Sequence, residues 1–376
     1  MPKPVHLYHL FSSFDLGGRE ARACVLLNRL GPGYRHTVTA TNGCFGAAER
    51  IAPDVNCVLL PPPEGKGSLF YALSLAKVIR HIQPDVLLTY NWGAFDGVLA
   101  ATIGSLCPVV HTEDGFNPDE MQKLKARRIW SRRLLLNRVS AVVVPSLTLR
   151  QVALKTYRLR SDIVRWIPNG IDLSRFNTEQ RLLWRCDWKI GLGDFVIGYV
   201  GRLAPEKNLE ALLRAVAACR FPNVRLVLAG DGPCRSALTA LAAELGLAER
   251  TTFTGFLPDP SDCYGAFDLF AMSSITEQMP MALLEAMATG LPVICTEVGD
   301  SAEMLGNPGF PCTVPAGDPV AYARALEMLY RDADSRAQMG AANRRRCADG
   351  YSVEGMIASY RSIYHLAAGP RAAAAS

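Results

Sequence analysis

The stretch FVIGYVGRLAPEKNLEALLRAV, residues 195–216, reads as one strand–loop–helix unit. Phe195 to Val200 is an unbroken apolar run, the pattern of a strand covered on both faces in a parallel sheet. Gly201 ends the run. Leu209, Leu212, Leu213 and Val216 then recur at helical spacing, after an Asn208 suited to capping the helix start. Downstream, Val224 to Ala229, Thr251 to Thr254, Leu269 to Met272 and Pro292 to Thr296 repeat the strand signature. Strands alternating with helices in this way define an α/β sheet wound on both faces.

The same rhythm fills the first half of the chain. Its candidate strands are Val5 to Leu10, Thr37 to Thr41, Val55 to Leu60, Val86 to Thr89, Val109 to His111, Ala141 to Pro145 and Val164 to Ile167. Helical patterns such as Glu20 to Leu30 and Phe70 to Ile82 lie between them. The rhythm breaks between Asn169 and Gly193: Pro168-Asn169-Gly170 supplies turn chemistry, and Trp184 to Lys189 fits neither pattern. A chain of 376 residues exceeds what one core usually holds. The expectation is two Rossmann-like doubly wound α/β domains facing across a cleft, residues 1–178 and 190–350, with a flexible tail at 369–376.

Hydrophobic residues make up 49% of the chain and charged residues 20%, which suits two buried cores and excludes a disordered chain. The apolar run Val5 to Phe11 is too short, and too soon followed by Gly17-Gly18, for a signal peptide; no stretch is long enough to span a bilayer. Eleven cysteines, without a C-x-x-C pair and mostly in apolar runs, read as reduced core residues of a cytoplasmic protein. The net charge of +5 is unevenly spread. Met121 to Arg160 holds eleven Lys/Arg and no acid, so the rest has 40 − 11 = 29 basic against 35 acidic residues.

In doubly wound sheets ligands bind past the carboxyl ends of strands, so the loops there carry the chemistry. After Val200 come Gly201, Arg202 and Lys207, two cations just ahead of a helix start, an arrangement suited to a diphosphate. A solvated loop with Glu206 paired to one of the cations accounts for the same residues equally well. After Met272 comes Thr276-Glu277-Gln278-Met279-Pro280-Met281-Ala282-Leu283-Leu284-Glu285, with Pro280 placed for a first helical turn. Glu277 then precedes the helix, and Glu285 leans back toward its N-terminus, where a carboxylate can accept from paired sugar hydroxyls. A helix-start acid and a surface glutamate are the plainer alternatives. Gly17-Gly18 lets a backbone approach a phosphate or sugar ring, and His111 ends a strand where it can meet substrate hydroxyls, although such a histidine is commonly structural. Metal ligation has no support: Asp332-Ala333-Asp334 lies in helical sequence, where a helix-start role explains it better, and the six histidines lack ligand spacing.

Taken together these segments resemble glycosyltransferase family 4, most densely from Val164 to Glu303. Ile167-Pro168-Asn169-Gly170-Ile171-Asp172 is similar to the family's interdomain segment, Gly198 to Asn208 to its diphosphate loop, and Leu228 to Pro233 to the following strand end. Glu277 and Glu285 match its E-x7-E motif. The resemblance implies a GT-B fold and a retaining, metal-free transfer of a hexose-type sugar from a nucleotide-sugar, uridine favoured over guanosine, to a glycan or lipid-linked acceptor in surface polysaccharide or glycolipid synthesis. It implies that Arg202 and Lys207 hold the diphosphate, Glu285 the ribose and Glu277 the hexose, with Gly201 and Met279 to Leu283 completing the donor site. Gly17, Gly18 and His111 match elements of the first domain that complete the site, and a last helix near 352–367 crosses back onto that domain. Where many relatives carry Gly-Phe-Gly after the first glutamate, this chain has Gln278-Met279-Pro280, and Pro280 has no N–H to offer.

Two other classes stay open at this point: a glycoside hydrolase using Glu277 and Glu285 as its carboxylate pair, and a non-catalytic nucleotide-sugar binding protein. The basic segment 121–138, with Lys123, Lys125, Arg127, Arg128, Arg132, Arg133 and Arg138, is expected to contact anionic membrane at the inner face of the plasma membrane, although its cations fall all around the helix. Asn117, Pro118 and Glu120 are expected to start that helix as a capping box. Nucleic acid is not expected as a partner, because no stacking pattern accompanies the charge.

Overall fold

A computed structural model describes residues 3–15, 17–65, 68–115, 120, 124–219, 221–306 and 313–369. The chain forms two compact units, Met1–Asn169 with Glu354–Ser376, and Gly170–Val353.

In the first unit the strands are β1 Val5–Phe11, β2 Tyr34–Ala40, β3 Cys57–Leu59, β4 Val86–Tyr90, β5 Val109–Thr112, β6 Ala141–Val144 and β7 Val164–Trp166. Among the described residues they make one parallel sheet in the order β3-β2-β1-β4-β5-β6-β7. The helices are α1 Gly18–Arg29, α2 Ser68–Ile82, α3 Phe95–Gly104, α4 Ala126–Leu135 and α5 Leu147–Gln151. Strands β1, β4, β5 and β6 are buried along their whole length because both faces are covered.

The second unit opens with α6 Arg181–Asp187 and continues with β8 Phe195–Val200, α7 Leu209–Ala218, β9 Val224–Ala229, α8 Arg235–Glu244, β10 Thr251–Gly255 and β11 Leu269–Met272. It closes with α9 Met281–Thr289, β12 Val293–Thr296, α10 Ser301–Leu305, β13 Thr313–Val314, α11 Pro319–Arg331 and α12 Ala333–Gly350. Its sheet is parallel in the order β10-β9-β8-β11-β12-β13. Amphipathicity seats α7: Leu209, Leu212, Leu213 and Val216 are buried, while Glu210 and Arg214 pair on the outer face. The last helix, α13 Val353–Ala368, packs in the first unit, where Tyr34 Oη meets His365 Nε2 at 2.8 Å and Arg29 pairs with Glu354 at 3.2 Å.

Several expectations need correction. Residues 170–178 belong to the second unit, because Ile171 and Phe176 are buried in its core. The stretch around Trp184 is not a break but the helix α6, fastened by Arg181 and Arg185 to Asp268 at 2.5 and 2.7 Å. Asn208 occupies the start of α7 in a left-handed conformation, φ 47°, and its side chain makes no capping bond. Strand β3 shrinks to an edge strand with Val58 and Leu59 exposed, and β13 carried no signal because two residues show no period. Asp332 does start a helix, its carboxylate accepting from Ser335 N at 2.9 Å. The tail from residue 370 lies outside the described residues, as do the Asn117 and Pro118 of the expected cap.

Candidate active site

The strand order of the second unit reverses between β8 and β11, the switch point where doubly wound sheets open a crevice at their carboxyl ends. Of the expected donor residues, the loops after these two strands bring Lys207 and Glu277 together. After β8, Gly201 adopts φ 146° and its N–H donates to Ala229 O at 2.9 Å. Leu203 N donates to Asp231 O at 2.9 Å, so the loop runs along the end of β9. A Cβ on Gly230 would overlap Gly201 O, which makes glycine there a condition of this close approach. From the other side Ile275 N donates to Glu206 O at 2.9 Å, and Ser273 Oγ to the carbonyls of Lys207 and Asn208 at 3.0 Å.

Lys207 Nζ sits 2.5 Å from Glu277 Oε1, across the switch point, so its partner is not its neighbour Glu206. Ser274 Oγ donates to the same oxygen at 2.8 Å. Glu277 is therefore a loop residue held by a cation and a hydroxyl, not a helix-start acid. The loop itself is pinned by Asp300 N to Gln278 O at 2.9 Å, and Gly299, φ 56°, lies so close to the carbonyls of Glu277 and Gln278 that a side chain there would clash. Arg202 is exposed on the same loop as Lys207.

Met279 and Leu283, expected beside the donor, turn their side chains into the core, Pro280 is buried, and Met281 and Ala282 are half-buried. What this stretch presents is the amide end of α9. The first bond of the helix is Leu284 N to Pro280 O at 3.3 Å, so the N–H groups of Met281, Ala282 and Leu283 precede it and carry the positive end of the dipole. Glu285 lies one turn further on, half-buried, where it accepts a hydrogen bond from Tyr264 Oη at 2.6 Å. Burial pushes its carboxyl up to about 7, against the opposing effects of the Tyr264 bond and Arg175.

In the first unit, Gly17 and Gly18 are exposed at the start of α1, after β1, with Gly17 extended at φ −160°. His111 does not stand where a substrate hydroxyl can reach it. It is fully buried, with Nδ1 2.8 Å from Thr89 Oγ1 and Nε2 3.1 Å from Glu113 Oε1. The reason is its place on the interior strand β5, covered on both faces. Glu113 also accepts from Arg132 Nε at 2.8 Å. Burial opposes its charge, but Arg132 and the His111 bond outweigh this and hold its carboxyl at about 2.

That ion pair also corrects the reading of the basic segment. Arg132 is buried between Trp92 and Tyr157, and Arg128 packs over Trp92 and pairs with Glu120 at 2.8 Å. Met121 and Lys123 lie outside the described residues. Lys125, Arg127, Trp130, Leu134 and Arg138 are exposed.

Sequence reasoning missed Ser274, Tyr264 and the pair Arg22–Asp114, joined at 2.5 Å at the carboxyl end of β5, with Arg22 also donating to Asn169 Oδ1 at 2.9 Å. Ser274 and Asp114 were findable as polar residues just past strand ends; Tyr264 and Arg22 sit in sequence with no local mark.

Two family descriptions cover the chain in succession: "Glycosyltransferase Family 4" matches residues 18–175 and "Glycosyl transferases group 1" residues 181–346. The D-inositol 3-phosphate glycosyltransferases of Nocardia farcinica and Corynebacterium diphtheriae are 32% and 30% identical over 57% and 70% of this chain. The matches span 51% and 66% of those relatives, about half to two thirds of their length. The UDP-Gal:alpha-D-GlcNAc-diphosphoundecaprenol alpha-1,3-galactosyltransferase of Escherichia coli is 24% identical over 78% of each chain. Among solved structures, Anabaena HepE in complex with UDP and glucose superposes with a TM-score of 0.81 at 22% identity, over 95% of this chain and 98% of its own. With both halves matched in order and two Rossmann-like units in place, the chain belongs to glycosyltransferase family 4 and has the GT-B fold.

Proposed function

We propose that this chain transfers a hexose-type sugar from a nucleoside-diphosphate sugar, UDP favoured over GDP, to a glycan or lipid-linked acceptor with retention of anomeric configuration. The observation that carries this is the Lys207–Glu277 pair at the switch point, with Arg202 on the same loop as Lys207 and the amide end of α9 following Glu277 in the chain. Lys207, Arg202 and the helix end are the positive groups for a departing diphosphate, and they stabilise its growing charge. Glu277 then positions the hexose, and Glu285 the ribose. The acceptor oxygen attacks the anomeric carbon on the face the diphosphate leaves. The carbon–oxygen bond to the diphosphate breaks, and a phosphate oxygen takes the acceptor's proton. Because Arg202, Lys207 and the helix end supply the positive charge, the cycle proceeds without metal.

The UDP and glucose of the HepE structure and the donor and lipid-linked acceptor in the Escherichia coli enzyme's name support this class of substrates. The reaction fits surface polysaccharide or glycolipid synthesis at the cytoplasmic side of a membrane, with the outward stripe of α4 as the membrane contact. Incubating the protein with UDP-hexoses, GDP-hexoses and candidate acceptors in chelator is expected to release nucleoside diphosphate only when acceptor is present. The anomeric proton of the product is expected to keep the donor's configuration. Cleavage of a nucleotide-free glycoside points instead to hydrolysis, and tight donor binding without turnover to a binding protein.

A further inference from the structure

We infer that Tyr264 is a positioning residue for nucleotide binding: its hydroxyl clamps one oxygen of Glu285 so that the rest of the carboxylate is presented to the donor's ribose. The inference rests on the donor site proposed above. Tyr264 lies in the 3-10 turn Ser261–Ala266 between β10 and β11. Its ring is fully buried and packs on Phe176, Phe267 and Phe270, with centroids at 6.1, 5.9 and 5.8 Å. The hydroxyl is therefore delivered from a fixed point. It reaches Glu285 Oε2 at 2.6 Å, the length of a charge-assisted bond. Among the described residues no other side chain hydrogen-bonds this carboxylate. A glutamate has several rotamers to lose on binding, and one anchored oxygen removes most of that freedom before the ligand arrives.

The clamp also acts on charge. Burial favours the neutral acid, and the Tyr264 bond favours the carboxylate, which accepts ribose hydroxyls more strongly than the acid does. The charged groups facing Glu285 from neighbouring segments are Arg175, which favours the carboxylate, and Asp259, which opposes it; they pair with each other at 2.8 Å. Cys263, on the same turn as Tyr264, has its thiol pushed up by burial and stays neutral. Deleting only the tyrosine hydroxyl leaves the ring packing in place and removes the one hydrogen bond that holds the carboxylate charged.

The test is calorimetric titration of the full chain with UDP, and with other nucleoside diphosphates, between about pH 6 and pH 9. For the wild type, affinity is expected to rise with pH through a limb near 7. In Tyr264→Phe the limb is expected to move about one unit higher, with affinity lost on the order of five-fold at pH 7 and regained at pH 9. In turnover the change is expected in the donor KM and not in kcat. Glu285→Gln is expected to abolish the limb, and adding Tyr264→Phe to it to change nothing further. An unmoved limb, a loss equal at every pH, or additivity in the Glu285→Gln background overturns the clamp alone. Failure of the wild type to bind any nucleoside diphosphate overturns the donor site and the clamp with it.

Discussion

Lys207 and Glu277 are 70 residues apart in the chain and 2.5 Å apart in the fold. Both side chains are mostly buried, 22% and 13% exposed, so the attraction within the pair is set against the cost of desolvating it and the net gain in stability is small. In the donor site proposed above the pair has a different use, because a cation fixed beside a leaving diphosphate acts where charge develops. Lys207→Ala is therefore expected to lower kcat by about 100-fold or more, as loss of one such group commonly does. Its melting temperature should shift by only a few degrees. Steady-state kinetics beside a thermal melt check this, and a fully active Lys207→Ala protein sinks the assignment. His111 teaches the converse. A histidine at a strand end met the chemical requirement, yet the exposure that a substrate contact needs is not encoded in residue type, and β5 buries it.

At the scale of elements, β1 and β2 carry a buried histidine file. His6 Nε2 lies 2.9 Å from Thr37 Oγ1, His9 Nε2 lies 3.1 Å from His36 Nδ1, and His9 Nδ1 lies 3.0 Å from Tyr90 Oη. Burial first, with nearby Arg35 for His6 and His6 for His36, holds His6 and His36 at about 4, from an ordinary 6.5, and burial with His36 beside it also holds His9 well below its ordinary value. A histidine lowered on folding contributes nothing pH-dependent above 6.5; as pH falls from there toward 4 the unfolded chain takes up protons that the sheet refuses, and stability is lost. The difference of 6.5 − 4 = 2.5 units corresponds to about 3 kcal/mol for each of His6 and His36, and coupling makes the sum smaller. Amide hydrogen exchange in β1 and β2, corrected for intrinsic rates, is expected to show protection that is level from about pH 7 upward and falls toward pH 5. Equal protection at both ends of that range rules the histidine file out as an acid-labile element. Unit two moves oppositely over this window through Glu285, so local exchange separates what a global melt blends.

For the whole molecule, the uneven charge resolves into two populations. Arg128 and Arg132 of α4 are consumed by Glu113 and Glu120, while Lys125, Arg127 and Arg138 face outward with Trp130 and Leu134. No helix among the described residues is long and apolar enough to cross a membrane. Each outward cation adds about 1 kcal/mol on an anionic surface. The variant Arg127→Gln/Trp130→Ala/Arg138→Gln is expected to bind vesicles containing anionic lipid at least ten-fold more weakly than wild type in co-sedimentation; equal binding removes the membrane contact. The class of fold was legible in the chain alone, because apolar runs and helical spacing are local and each strand of a covered sheet announces itself. So was the family, since its motifs are contiguous. Strand order, the unit boundary at Asn169 and the pairing of Lys207 with Glu277 were decided only by the tertiary structure, for they depend on contacts between residues far apart in sequence. Burial belongs with them: whether a histidine is sealed inside, an arginine spent on a buried glutamate, or a tyrosine set against Glu285 follows from what the rest of the chain packs around it.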